Sequence, residues 1–239
     1  MKIIISNTKK FLIKDTLKDF HCKQGLIKAK DLKKTKGKIK TNKGEEFFIL
    51  KPEFIDLYQK IKRNAQIITL KDIGAIITET GINQNSKILD AGAGSGALSC
   101  YLAHIVKSVI AYEIREDFAK TVKTNIQFLD LKNIKLKIKD IYTGIDEKNL
   151  NLITLDLPEP WKAIKHAIKA LKQGGFLVAY TPQITQALEF TNKAVKTEKF
   201  VHIKTKETSE REWALKGKIA KPITPLISHT GFLTFLRRI

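Results

Sequence analysis

Short β-branched and aromatic runs open the chain: Ile3-Ile4-Ile5, Phe11-Leu12-Ile13 and Phe47-Phe48-Ile49-Leu50. Lysine-rich stretches and glycines at 25, 37 and 44 punctuate them, so the pattern predicts a small β module with turns at those glycines. From Pro52 the period changes. Phe54, Ile55, Tyr58 and Ile61 recur at helical spacing, which predicts a connecting helix and a domain boundary near Arg63, dividing the chain into residues 1–63 and 64–239.

Beyond that point apolar strands alternate with amphipathic helices. The strands are Lys87–Ala91, Ser108–Tyr112, Ile134–Ile138 and Leu152–Asp156; helical stripes of Leu98, Leu102, Ile105 and of Phe118, Val122, Ile126 lie between them. This rhythm predicts an α/β domain with a doubly wound, mostly parallel sheet. Three more strands close the chain, at Gly175–Tyr180, Phe200–Ile203 and Gly231–Leu236. Only a proline-containing loop separates the last two, so they are expected to pair antiparallel, unlike the end of a simple dinucleotide fold.

Composition adds a partner class. The 239 residues include 44 Lys and Arg against 24 Asp and Glu, a formal charge of +20, which suits a polyanion whose condensed counterions are released on contact. A lysine-rich, isoleucine-rich compositional bias would give the same excess. Hydrophobic residues at 43% and the lack of a low-complexity tract describe a globular chain. Cys22 and Cys100 stand far apart and no metal-ligand spacing occurs, so neither a disulfide framework nor a metal site is expected. The apolar start Ile3-Ile4-Ile5 is too short for a signal peptide, and no run of about 18 apolar residues exists, so a soluble cytoplasmic protein is expected.

Candidate chemistry gathers at strand ends. Asp90-Ala91-Gly92-Ala93-Gly94-Ser95-Gly96 passes from a strand into a helix, and its glycines permit close backbone approach to a nucleotide-like ligand. Glu113 ends the next strand, where a carboxylate can accept from both hydroxyls of a ribose; a nicotinamide dehydrogenase places an acid similarly, and an exposed strand-end charge would look the same. Asp140 follows the third strand and can accept from an adenine amino group, though turns often carry aspartate. Asp156-Leu157-Pro158-Glu159-Pro160-Trp161 ends the fourth strand with two acids held by two prolines, either as a rigid acidic loop or as a stiff connection before the helix containing Ile164 and Ile168.

Together these blocks resemble the tRNA (adenine-58-N1)-methyltransferase family, archaeal branch. The resemblance rests on Ala65-Gln66-Ile67-Ile68-Thr69-Leu70-Lys71-Asp72, the glycine turn through Leu98, Glu113, Asp140, the Asp156–Trp161 loop, Tyr180-Thr181-Pro182 with Gln186, Glu210-Arg211-Glu212-Trp213, and His229-Thr230-Gly231-Phe232-Leu233. Thr69-Leu70 stands where members carry Tyr-Pro, which puts a tyrosine contact to the target base in question. The resemblance implies a Rossmann-like S-adenosylmethionine-dependent methyltransferase fold, a tRNA substrate methylated at adenine 58 and in some members also at 57, a homotetramer, and no metal. It implies that Gln66, Gly92, Gly94, Ser95, Gly96, Ala97, Leu98, Glu113, Phe118, Asp140, Ile141 and Asp156 hold S-adenosylmethionine.

Asp156 is the expected catalytic residue. Alkylation makes the adenine ring cationic, and a fixed carboxylate opposes that charge more in the transition state than before it. The same group could accept from the exocyclic amine; Glu159 is the second candidate. The reacting N1 atom lies on the Watson–Crick edge, so the base must be unpaired. Three other readings remain open on the sequence: a methyltransferase acting on another nucleic acid or on protein, a catalytically silent RNA-binding subunit, and a nicotinamide oxidoreductase.

Overall fold

The computed structural model describes residues 1–64, 66–224 and 229–239, so Ala65 of the Ala65–Asp72 run and Pro225 of the last loop lie outside the described residues. It divides into two compact units, Met1–Ile61 and Lys62–Ile239.

The first unit contains β1 (Lys2–Ile5), β2 (Lys10–Ile13), β3 (Phe20–Cys22), β4 (Gly25–Ile27), α1 (Ala29–Leu32), β5 (Gly37–Lys40), β6 (Glu46–Leu50) and α2 (Phe54–Tyr58). Four strands form an antiparallel sheet in the order β2-β1-β6-β5, while β3 and β4 pair separately. Alternation along β6 buries Phe47 and Ile49 and exposes Glu46, Phe48 and Leu50, as one packed face requires. Ile4, Ile13, Ile27, Leu32 and Ile39 complete that core. Gly25 and Gly37, expected in turns, instead begin β4 and β5, and α2 stops three residues before Ile61.

The second unit runs through α3 (Leu70–Thr80), β7 (Lys87–Ala91), α4 (Ala97–Ala103), β8 (Ser108–Glu113), α5 (Glu116–Phe128), β9 (Ile134–Ile138), β10 (Leu150–Asp156), α6 (Ile164–Ala170), β11 (Leu171–Thr181), α7 (Ile184–Val195), β12 (Phe200–Glu207), β13 (Trp213–Lys216), β14 (Ile219–Pro222) and β15 (Phe232–Arg238). Seven strands form one sheet, β12-β15-β11-β10-β7-β8-β9. β7 pairs parallel with β8 and β10, β8 with β9, and β10 with β11; β15 runs antiparallel to both β11 and β12. The expected antiparallel ending is therefore present, with a difference: β13 and β14 form a hairpin inside the connection that the sequence presented only as a loop. Ile105 falls beyond α4, and Gly231 precedes β15.

This order places the site. The chain adds β8 and β9 on one side of β7, then returns to add β10 and β11 on the other. A crevice opens at the carboxyl ends of β7 and β10, where the winding reverses.

Candidate functional site

A cavity of about 430 Å³ occupies that crevice, within the range of small-molecule sites. Ala91 and Gly92 close one end of it, Glu113 and Asp140 stand on one side, and Asp156 with Leu157 and Pro158 form the other.

The glycine turn is shaped by its protein neighbours as well as by any ligand. Gly92 has φ +80°, and a Cβ there would lie 2.0 Å from the carbonyl oxygen of Asp156; Gly96 has φ +74°, and a Cβ would lie 3.0 Å from Val122 Cγ1. The first glycine lets the turn pass beneath the end of β10, and the third seats α4 against α5. The backbone N–H of Gly94 donates to Glu113 Oε2 at 2.8 Å, while that of Arg115 donates to Oε1 at 2.9 Å. Glu113 thereby ties the turn to β8. Each carboxylate oxygen keeps further acceptor capacity, so the group can still receive two hydroxyls.

Asp140 begins a short 3₁₀ turn, Ile141–Thr143, and its Oδ1 accepts from the Tyr142 N–H at 2.8 Å. Ile114, Phe118 and Ile141 supply apolar wall, with the Arg115 guanidinium 3.8 Å from the Phe118 ring centroid.

Asp156 differs from these acids. No hydrogen bond reaches its carboxylate among the described residues. Burial, reinforced by the negative charges of Asp90 and Glu113, pushes its pKa up to about 7. Asp90, fully buried, is also raised, chiefly by burial, although it accepts from Ser99 and, at 2.7 Å, from Thr154. Among the described residues the charges that act on Asp156 are both negative, while Arg115 and Lys139 line the cavity elsewhere. Glu159, the second candidate, pairs with Lys162 and is absent from the cavity lining.

Of the residues expected at a cofactor, Gln66, Gly92, Gly94, Glu113, Phe118, Asp140, Ile141 and Asp156 line the cavity. Ser95, Ala97 and Leu98 line a much smaller adjoining space. Gly96 lines neither, having turned toward Val122. The sequence reading missed Tyr112, Ile114, Arg115, Lys139, Tyr142, Leu157 and Pro158 on the cavity wall. Their signal was adjacency: each flanks an expected residue at a strand end. Gln186 donates to the Pro158 carbonyl at 3.0 Å, so the acidic loop is held from α7.

A second polar cluster lies at the start of α3. Asp72, completely buried, accepts from Lys71 Nζ at 2.8 Å, Thr69 Oγ1 at 2.9 Å and Thr230 Oγ1 at 2.8 Å. Tyr180, which pairs with Asp156 across β10 and β11, donates its hydroxyl to the Thr230 carbonyl at 2.5 Å. Thr69 therefore occupies the expected tyrosine position as a hydrogen-bond donor to Asp72.

The donor set fits S-adenosylmethionine on this chain's own features. Glu113 and Asp140 offer acceptors for hydroxyl and amino donors, apolar side chains suit a flat base, and Asp156 awaits a cation.

Comparison with known proteins agrees. A family model described as the tRNA methyltransferase complex GCD14 subunit matches residues 47–220. A tRNA (adenine(57)-N(1)/adenine(58)-N(1))-methyltransferase TrmI of Methanocaldococcus jannaschii is 35% identical, covering 96% of this chain and 91% of its own. A tRNA (adenine(58)-N(1))-methyltransferase TrmI of Thermus thermophilus is 33% identical over 84% and 81% of the two chains. A crystal structure described as a SAM-dependent O-methyltransferase from Thermotoga maritima superposes with a TM-score of 0.88 at 30% identity, covering 100% of this chain and 92% of that one.

Proposed function

The chain belongs to the tRNA methyltransferase complex GCD14 subunit family, and from that premise we propose that it methylates N1 of adenine in the T loop of tRNA, at position 58, with adenine 57 as a second candidate position. It is an S-adenosylmethionine-dependent methyltransferase with the α/β fold of that class plus an N-terminal β module. We assign catalysis to residues 64–239 and a supporting role to 1–63.

The observation that carries this reading is Asp156: a strand-end carboxylate in the switch-point cavity, with no hydrogen-bond partner among the described residues and a pKa pushed up to about 7. A buried anion with no countercharge is costly unless a ligand brings one. S-adenosylmethionine supplies an electrophilic methyl group on a cationic sulfonium. Gln66, the Gly92–Leu98 turn, Glu113, Phe118, Asp140, Ile141 and Asp156 hold it in our assignment. Glu113 and Asp140 accept hydrogen bonds, Phe118 and Ile141 exclude water, and Asp156 faces positive charge. As the target ring becomes cationic, Asp156 opposes that charge from a fixed position. The side chain has little to do beyond alignment and electrostatics.

Cytoplasmic location follows from the substrate we assign; among the described residues no helix is long and apolar enough to cross a membrane. We assign a homotetramer; apolar side chains left exposed on the edge strand β12, Val201 and Ile203, and on the β13–β14 hairpin, Trp213, Leu215 and Ile219, offer surface for contacts between chains. Light scattering of the purified protein measures the assembly.

The deciding experiment supplies methyl-labelled S-adenosylmethionine and unmodified tRNA, then digests the RNA to nucleosides. Label in N1-methyladenosine at T-loop adenines is expected. Label on an oxygen, on another base, or in protein would overturn the assignment.

A further inference from the structure

Residues 1–61 contain sixteen lysines, no arginine and seven acids, so this unit is far more cationic for its size than the remainder of the chain. The excess has a focus. Lys33, Lys34, Lys36, Lys38 and Lys40 lead into and along β5, which is the edge strand of its sheet. Lys34 pairs with Asp31 at 2.8 Å. Lys38 and Lys40 share the single carboxylate of Glu46, at 3.3 and 3.1 Å. Among the described residues no ion pair reaches Lys33 or Lys36. The strip keeps a net positive charge after its own acids are counted.

Beside the strand part of that run stands an aromatic ring. Phe48 lies directly across from Lys38 and is 48% exposed, whereas its neighbours Phe47 and Ile49 are 1% and 0% exposed. The Lys38 ammonium sits 5.6 Å from the ring centroid. The module's core is complete without Phe48, so packing inside the sheet does not account for a phenyl group at this position.

We propose that this face, centred on Phe48 with Lys38 and Lys40 beside it and Lys36 leading into their strand, binds an unpaired stretch of RNA. One base stacks on the phenyl ring and the neighbouring phosphates meet the lysines. This rests on the reading that the substrate is tRNA and gives the N-terminal unit its task in that reaction. An aromatic platform inside a cationic strip is the arrangement by which sheets hold single strands without reading sequence. The platform here has no amide side chain beside Phe48 with which to read base edges. A second copy of this chain is a poorer occupant, because two such faces would set lysine against lysine.

The test uses the full chain and Phe48→Ala, Phe48→Trp and a Lys36→Ala/Lys38→Ala double variant, with unmodified tRNA as the probe. Phe48→Ala is expected to weaken tRNA binding by roughly 5- to 30-fold and Phe48→Trp to retain it, as loss and keeping of one stacked base would do. The lysine double variant should lower the slope of log affinity against log salt by about 2, one phosphate for each lysine. Affinity for S-adenosylmethionine and the single-turnover rate at saturating tRNA should hold, which separates docking from chemistry. Unchanged tRNA affinity in Phe48→Ala would overturn the proposal, and so would a change in its assembly state in place of its RNA affinity. Wild-type protein that binds tRNA without methylating it would instead refute the proposed reaction and leave this face standing.

Discussion

Two carboxylates, the buried Asp72 and the half-buried Asp156, stand near the carboxyl edge of the sheet, and the protein treats them oppositely. Asp72, at the start of α3, receives an ammonium from Lys71 and two threonine hydroxyls. Asp156, at the end of β10, receives no hydrogen bond among the described residues and has Asp90 and Glu113 as its charged neighbours. Tyr180 senses both: burial pushes its pKa up to about 12, and the two aspartates add to the rise. A closed ion pair is a structural element, because its charge is cancelled within the chain. An open carboxylate in a cavity is a binding element, because its charge is cancelled only by what enters.

The comparison breaks most visibly if Lys71 is removed. Lys71→Met leaves Asp72 buried with hydroxyl donors alone, and removing one partner of a buried pair costs about 3–5 kcal/mol. Denaturant unfolding at neutral pH should show that loss. Unchanged stability in Lys71→Met would mean that the pair is not a structural element.

At Asp156 the expected loss is in chemistry. Asp156→Asn retains volume and deletes the charge, so single-turnover methyl transfer at saturating cofactor should slow by about 10²–10³-fold, the typical effect of one preorganised electrostatic group. tRNA affinity should remain within about 2-fold, because phosphate contacts made elsewhere supply most of it. A near-normal single-turnover rate in the folded variant would remove Asp156 from catalysis.

Its titration sharpens the contrast. A carboxyl raised to about 7 is protonated in the folded protein below that pH, while the unfolded chain has already released its proton above about 4. Asp156 therefore contributes a fall in folded-state stability as pH rises from about 4 to 7, and Asp156→Asn should remove that contribution, leaving the variant more stable than wild type at pH 8. Affinity for the cationic cofactor runs the other way. It should rise by up to tenfold per pH unit between about 5 and 7 and level off above, a trend that titration calorimetry would follow and that a flat profile would contradict.

The parallel sheet was legible by two signals: a central strand such as Lys87–Ala91, buried from Ile88 onward, reads as an apolar run, and the edge strand Ile134–Ile138 reads by the alternation of isoleucine and leucine with lysine; both fall where the pattern put them. The hairpin β13–β14 was not, because Trp213–Lys216 and Ile219–Pro222 are short, lysine-bearing and largely exposed, without the alternation that a packed face imposes. In the cavity, acids at strand ends carry their own signal, so Glu113, Asp140 and Asp156 could be named. Gly96 could not be separated from Gly92 and Gly94, since only packing shows that it answers to Val122. The Asp72 cluster depends on Thr230, 158 residues away, and no local pattern announces such a partner. Nor does local pattern reveal the lack of a partner at Asp156, which is a property of burial.

The smallest effect lies at Thr69, the position at which the sequence reading expected a tyrosine. Its hydroxyl donates to Asp72 Oδ2 at 2.9 Å, the same oxygen that Thr230 Oγ1 approaches at 2.8 Å. Thr69→Val keeps the β-branched shape and removes one of these donors while Lys71 stays in place, so the carboxylate remains satisfied and its charge cancelled. The expected cost is about 1.5–3 kcal/mol, the range for one hydrogen bond to a charged group, below that of losing Lys71 and read as a drop in the denaturant midpoint at unchanged slope. Methyl transfer should be unaffected, because Thr69 is absent from the cavity lining and the Asp72 cluster is electrically closed. A Thr69→Val variant that kept its stability but lost transfer would place this position at the substrate, and the division between the closed and the open carboxylate would have to be redrawn to include it.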